Sequence, residues 1–188
     1  MLSRTRPLVL LLLAAALAAA ALTSTTGSAT AAAPRTTIRL KVVGCDGCTV
    51  LAVQTRGGDA PYMSTNKVVR NGMANLSVPT ARTRGMSVLV YSSFSEEQSY
   101  PTVAVTQFRA KKPGATVSWA YARQKRTMSG CWAGTSRNVV RNTMVVKHVT
   151  VAGKDRAAAF LKRTWRSGPV WITTRKAAYY VSEASMCP

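Results

Sequence analysis

Residues that could carry general acid–base catalysis are scarce in this chain. His148 is the only histidine among 188 residues, and it lies in an apolar run typical of a strand. The acidic residues are Asp46, Asp59, Glu96, Glu97, Asp155 and Glu183. No spacing marks any two of these carboxylates as a catalytic pair, and no Gly-x-Ser-x-Gly segment supplies a nucleophile. We therefore expect a protein without enzymatic activity and without a bound metal or other cofactor.

The cysteines could be metal ligands, redox thiols or disulfides. Cys45 and Cys48 form a Cys-x-x-Cys segment that resembles the soft-metal loop of heavy-metal-associated domains and, in its spacing, a thioredoxin-like redox site. Both of those sites need a helix next, whereas Thr49 to Gln54 is a run typical of a strand. Four cysteines allow three pairings, and we favour the disulfides Cys45–Cys48 and Cys131–Cys187.

Positive charge dominates the composition. The chain carries 26 Lys and Arg against 6 Asp and Glu, and the segment from Gln98 to Lys154 contains no acid at all. Such a segment attracts polyanions through a field that salt weakens. The residues expected to contact an anion are Arg109, Lys111, Lys112, Arg123, Lys125, Arg126, Lys162, Arg163, Trp165 and Arg166. Alternatively, the positive surface serves only to keep the protein soluble.

The amino-terminal segment has the three parts of a secretory signal. Arg4 and Arg6 precede an apolar stretch from Leu8 to Leu22, and a small-x-small cleavage site follows at Ala29 to Ala31. We therefore expect residues 1–31 to be a signal peptide, whose alanine-rich composition fits a bacterial host. Residues 32–188 are then a single secreted domain with no membrane-spanning segment.

The elements that position these residues are predicted to be strands. Apolar and polar residues alternate from Thr37, and Asn71-Gly72 between two apolar runs predicts a type I′ hairpin. Further strands are predicted at Met86–Ser92, Thr102–Phe108, Ala115–Ala122, Thr127–Ala133, Thr143–Val151 and Val170–Thr174. Residues 156–166 fit either a strand or one short helix that begins after Asp155. The expected fold is mainly β, an antiparallel β-sandwich of immunoglobulin-like or similar type.

Charge and fold together predict a function in binding. We expect a secreted, non-catalytic basic protein that adheres through electrostatics to an anionic extracellular or cell-envelope partner. The clusters at residues 109–112 and 123–126 flank the predicted strand Ala115–Ala122, so a shared binding patch requires that they lie on one face. The alternative is an inhibitor or binding partner of another extracellular protein, with Ala184–Pro188 as its most substrate-like loop.

Overall fold

The computed structural model describes residues 32–55, 61–94, 101–109, 111–124 and 128–164. These residues form a mainly β structure, as the sequence predicts, and all of their elements lie in the unit Ala33–Pro188. In chain order the elements are β1 (Arg35–Val43), β2 (Thr49–Gln54), β3 (Tyr62–Met63), β4 (Lys67–Val68), β5 (Met73–Pro79), a 3₁₀ turn (Thr80–Arg82), β6 (Ser87–Tyr91), β7 (Thr102–Val103), β8 (Gln107–Phe108), α1 (Trp119–Ala122), β9 (Met128–Ser129), β10 (Val139–Val151) and β11 (Lys154–Leu161).

Four strands form the first sheet, in the order β11-β10-β1-β5. β1 runs antiparallel to β5 but parallel to β10, with Arg39 opposite Arg141. The parallel pair departs from the all-antiparallel expectation. A parallel neighbour needs a long crossover, and here the chain between β1 and β10 supplies one that contains the second sheet.

The second sheet has the order β3-β2-β6-β7, and β4 also pairs with β2. β8 and β9 form a separate two-stranded ladder. Buried side chains from both larger sheets belong to one apolar core, for example Leu40 and Leu76 from the first sheet and Leu51 and Val90 from the second. The β-rich class is thus confirmed, while the specific sandwich arrangement stays a prediction.

Alternation along β1 is confirmed by its burial. Ile38, Leu40 and Val42 are 1–4% exposed and enter the core, whereas Arg39 and Lys41 are exposed on the opposite face. Successive residues of a strand point to opposite faces, so each buried apolar residue places a cation on the outer surface. β1 therefore anchors a positively charged sheet face on the apolar core.

Two tight hairpins shape the strand order. Asn71 and Gly72 have φ angles of 51° and 67°, and the backbones of Arg70 and Met73 exchange hydrogen bonds of 3.1 and 3.0 Å, which confirms the predicted hairpin. A second hairpin turns at Ala152 and Gly153, with φ angles of 50° and 77°. This second turn joins β10 directly to β11.

The helix considered for residues 156–166 is not formed in the part that the structure describes. Residues 154–161 are instead the strand β11, which pairs antiparallel with β10, and Ala157, Ala158 and Ala159 are at most 1% exposed. Pairing with the β-branched residues of β10 outweighs the helix propensity of these alanines. Trp165 and Arg166 lie outside the described residues.

The strand predicted at Ala115–Ala122 is wrong. Thr116 makes an isolated antiparallel bridge with Arg163, and the chain then enters the short helix α1. The Ser118 hydroxyl accepts a hydrogen bond of 3.3 Å from the Tyr121 N–H and caps the helix, a local bond that competes with extended structure. The Trp119 ring packs 5.9 Å from Phe160, so the aromatic residues that suggested a strand hold a helix against β11.

Other predicted strands are found in shortened form. Thr102–Phe108 is divided into β7 and β8, and Thr127–Ala133 contains only β9 among the described residues. The predicted strand Val170–Thr174 lies outside the described residues. Among the residues that the structure describes, no helix has the length and apolar character needed to cross a membrane.

The disulfide Cys45–Cys48 is confirmed. Its loop leads into β2 and not into a helix, and both cysteines are buried, at 6% and 1% exposure. The Gly47 N–H donates to the Val69 carbonyl at 2.9 Å and fixes the loop beside the first hairpin. Cys131 is also disulfide-bonded, and its expected partner Cys187 lies outside the described residues. The Cys-x-x-Cys segment therefore forms a structural cross-link between β1 and β2.

Candidate anion-binding groove

The outer face of the first sheet places cations side by side. The parallel register sets Arg39 directly opposite Arg141, and Lys41 opposite Thr143. Arg39, Lys41 and Arg141 are all exposed, while Val140, beside Arg141 in β10, is 3% exposed and points into the core. Two strands that are far apart in sequence thus present their positive side chains to the same surface.

A groove of about 740 Å³ lies over this face. Lys162 and Arg163, which follow β11, complete its positive lining, and the Lys162 N–H donates to the Thr143 carbonyl at 2.7 Å. The cations that line the groove are Arg39, Lys41, Arg137, Arg141, Lys162 and Arg163. The remaining lining residues are neutral, so the groove is strongly positive.

No carboxylate lines the groove among the residues that the structure describes. Among the described residues the acids are Asp46 and Asp155. Asp46 accepts a hydrogen bond of 3.2 Å from the Gly72 N–H, and Asp155 lies 3.0 Å from His148. Uncompensated positive charge in a concave surface concentrates the field and attracts anions.

A second cavity, of about 720 Å³, shares one lining residue, Arg137, with the groove. Arg84 adds a further exposed cation, and the hydroxyl residues Thr80, Thr83 and Thr135 line the same cavity. The exposed cations are therefore not confined to one pocket.

Of the predicted anion contacts that the structure describes, Lys162 and Arg163 line the groove. Lys112 is exposed, and its carbonyl accepts a hydrogen bond from the hydroxyl of Thr164, a groove residue. Its backbone therefore lies next to the groove. The predicted residues Lys125, Arg126, Trp165 and Arg166 lie outside the described residues.

Arg109, Lys111 and Arg123 are not among the residues that line the groove, and they lie near Tyr121 in space or in sequence. The Tyr121 hydroxyl donates to the Arg109 carbonyl, and the Lys111 ammonium lies 4.5 Å from the centre of the Tyr121 ring. Arg123 follows two residues later, at the end of α1. We call Arg109, Lys111 and Arg123 the Tyr121 cluster. Because the chain bends at α1, these cations are not held at the two ends of a strand, as the sequence suggested.

Four groove cations were missed as contact residues: Arg39, Lys41, Arg137 and Arg141. The sequence contains part of the information that would identify them. Alternation places Arg39 and Lys41 on the outer face of β1, and Arg137 and Arg141 belong to the acid-free segment. Local patterns do not show that β1 pairs with β10. Without that pairing, the two sets of cations have no common site.

His148 has an acidic neighbour that its sequence position hides. The hairpin at Ala152–Gly153 brings Asp155 back beside it, with 3.0 Å between His148 Nε2 and Asp155 Oδ1. The Thr150 hydroxyl donates to the carboxylate of Asp155 at 3.1 Å and not to the imidazole. In a catalytic triad the hydroxyl bonds the imidazole, so His148, Asp155 and Thr150 do not form one together. The described residues also contain no group of three or more His, Cys, Asp or Glu suited to a metal.

Comparison with known protein families, with curated proteins and with solved structures gives no match for this chain. The main features of the groove are a β-sheet face, exposed Arg and Lys side chains, and no carboxylate among the described lining residues. This is the chemistry of an anion-binding surface.

Proposed function

We propose that the protein is exported and acts without catalysis, by binding an anionic polymer of the extracellular space or the cell envelope. The observation that carries this proposal is the groove on the first sheet, where six Lys and Arg side chains surround one surface with no carboxylate among its described lining residues. A signal-like segment at residues 1–31 supports export. The disulfide Cys45–Cys48 also supports it, since disulfides persist in oxidising compartments.

Binding would come from many weak contacts acting together. A single exposed ion pair contributes only about 0–1 kcal/mol. A linear polyanion that meets several cations at once also releases its condensed counterions, which makes the affinity high at low salt and steeply salt-dependent. Arg39 and Arg141 add the guanidinium fork, which can donate two hydrogen bonds to one phosphate or carboxylate. Specificity would then depend on how the charges of the polymer are spaced.

The test is retention of the oxidised protein on producer-cell envelopes and on a panel of polyanions, measured from low to high salt. We expect retention at low salt that falls steeply as salt increases. No retention at any salt would overturn the proposal. Tight, salt-tolerant binding to a single secreted protein would instead support the inhibitor alternative.

Matched variants separate a groove from a general charge effect. The groove variant, Arg39→Gln with Arg141→Gln, and the cluster variant, Arg109→Gln with Arg123→Gln, each remove two positive charges. We expect the groove variant to lose about tenfold or more in affinity at low salt and the cluster variant to lose much less. Equal losses would mean that net charge alone holds the polymer, which contradicts a groove-based site.

A further inference from the structure

We infer that the polymer in the groove is a linear polyol phosphate, a flexible chain with one phosphodiester in each short repeat and no bases. This inference rests on the proposed function and narrows its ligand class. Three observations carry it: cations that line two cavities sharing Arg137, the close spacing of these cations, and the absence of aromatic side chains from the described lining residues.

The groove is longer than a single small anion. Residues 139–143 of β10 line the groove and span about 13 Å at the rise of an extended strand. Arg137 continues this line into the second cavity, where Arg84 is exposed. A free phosphate would occupy only a fraction of that length, whereas an extended polymer can contact both cavities.

The cations recur at short intervals. Arg39 and Arg141 lie on neighbouring strands, about 4.8 Å apart in backbone position, and Lys41 is two residues along β1 from Arg39, about 6.6 Å away. Lys162 lies across the sheet from Lys41, on the far side of Thr143. Its N–H donates to the carbonyl of Thr143, and Thr143 lies opposite Lys41. This density suits a chain with a charge on every short repeat. An acidic polysaccharide with one carboxylate per disaccharide would leave several of these cations unpaired.

Among the residues that the structure describes, the lining offers no stacking platform. None of the described residues that line either cavity is Phe, Tyr, Trp or His. Proteins that hold single-stranded nucleic acids stack the bases on aromatic side chains, and each base contributes about 1–3 kcal/mol. A polyol phosphate has neither bases nor rings that need such a surface. Its phosphates can be held by Arg39 and Arg141 through bidentate hydrogen bonds.

The test compares three polymers matched in number of charges, each titrated into the oxidised protein at one fixed salt concentration. They are poly(glycerol phosphate), a polysaccharide with one uronate per disaccharide, and oligo-dT; glycerol 3-phosphate serves as the monomer. We expect poly(glycerol phosphate) to bind about tenfold or more tightly than either other polymer, and about 100-fold or more tightly than the monomer. The groove variant should lose this preference and the cluster variant should keep it.

Arg84→Gln tests the path through the second cavity. It should weaken binding of long poly(glycerol phosphate) more than binding of the monomer glycerol 3-phosphate, which can contact only one cavity at a time. Equal loss for polymer and monomer, or no loss for either, would overturn the proposed path.

Two outcomes distinguish the inference from the proposed function. If the uronate polymer or oligo-dT binds as tightly as poly(glycerol phosphate), and the groove variant still weakens it, the polymer class is overturned while the groove remains an anion-binding site. If no polyanion binds even at low salt, both proposals fail.

Discussion

Gly44 shows how closely the disulfide loop packs against β10. Its φ angle is +87°, and a methyl group on it would lie 2.3 Å from the Val146 carbonyl oxygen. Gly47, in the same loop, has a φ of +81° but no atom within 4 Å of its methyl position. We expect Gly44→Ala to lower the free energy of unfolding by about 3 kcal/mol or more, since a backbone must move, and Gly47→Ala by only about 1–2 kcal/mol.

Urea unfolding of both glycine variants is the measurement. Both substitutions place a side chain at a positive φ, so Gly47→Ala controls for that cost alone. If the two variants lose the same stability, the loop is not in contact with β10 and the packing described above is wrong.

Ala152 is strained by its own turn. It has a φ of +50° in the second hairpin, a conformation that costs most L-residues about 1 kcal/mol and that asparagine adopts more readily. Ala152→Asn should therefore raise the free energy of unfolding by about 0.5–1 kcal/mol, which corresponds to roughly 1–4 °C in Tm. Thermal unfolding would measure this. A lower Tm would contradict the turn assigned to Ala152–Gly153.

The two hairpins show when the residue types in a sequence predict a turn. Asn71-Gly72 was predicted as a hairpin because both residue types tolerate positive φ. Ala152-Gly153 gives no such signal, so the second hairpin was missed, and with it the placement of Asp155 beside His148. Residue types predict a turn only where the turn is made of residues that prefer it.

At the level of elements, the parallel pairing of β1 with β10 lowers the free energy of unfolding through charge repulsion. It holds Arg39 directly opposite Arg141, and like charges on adjacent strand positions repel. We expect Arg141→Thr to stabilise the protein by a few tenths of a kcal/mol, because threonine also suits a strand, while weakening polyanion binding. The gain in stability should shrink as salt screens the repulsion.

Urea unfolding at low and high salt, with Arg123→Thr as the control, tests this trade-off. Arg123 is exposed at the end of α1 and has no cation opposite it in a strand, so its replacement should bring no comparable gain. If Arg141→Thr lowers the stability at low salt, Arg141 stabilises the sheet, and the proposed repulsion between Arg39 and Arg141 is wrong.

Elements with a clear local pattern were predictable. β1, β2, β5 and β6 follow their apolar alternation or apolar runs closely. Residues 115–122 and 154–161 were harder, because each is decided by tertiary contacts: Trp119 against Phe160 in the first case, and pairing with β10 in the second. An alanine-rich run is compatible with a helix or a strand, and only its neighbours decide between them.

At the level of the whole molecule, the groove is a product of long-range pairing. Its cations come from β1, from β10 and the residues just before it, and from the residues that follow β11. The order of the strands in the first sheet brings these segments together. Composition predicted that the protein is basic but not which cations share a surface. The sequence-based grouping around residues 109–112 and 123–126 predicted a different set of cations, and its described members are not among the residues that line the groove.

The salt dependence of binding measures how many cations of the groove the polymer contacts. For a flexible single chain the slope of log affinity against log salt is about −0.7 per neutralised charge, so six contacts predict a slope of about −4. The groove variant should flatten this slope by about 1.4, since it removes two contacts, while the cluster variant leaves it nearly unchanged. Affinity of the oxidised protein for poly(glycerol phosphate), measured at several salt concentrations, gives all three slopes. If the cluster variant flattens the slope as much as the groove variant does, the polymer contacts the whole positive surface and the groove is not its site.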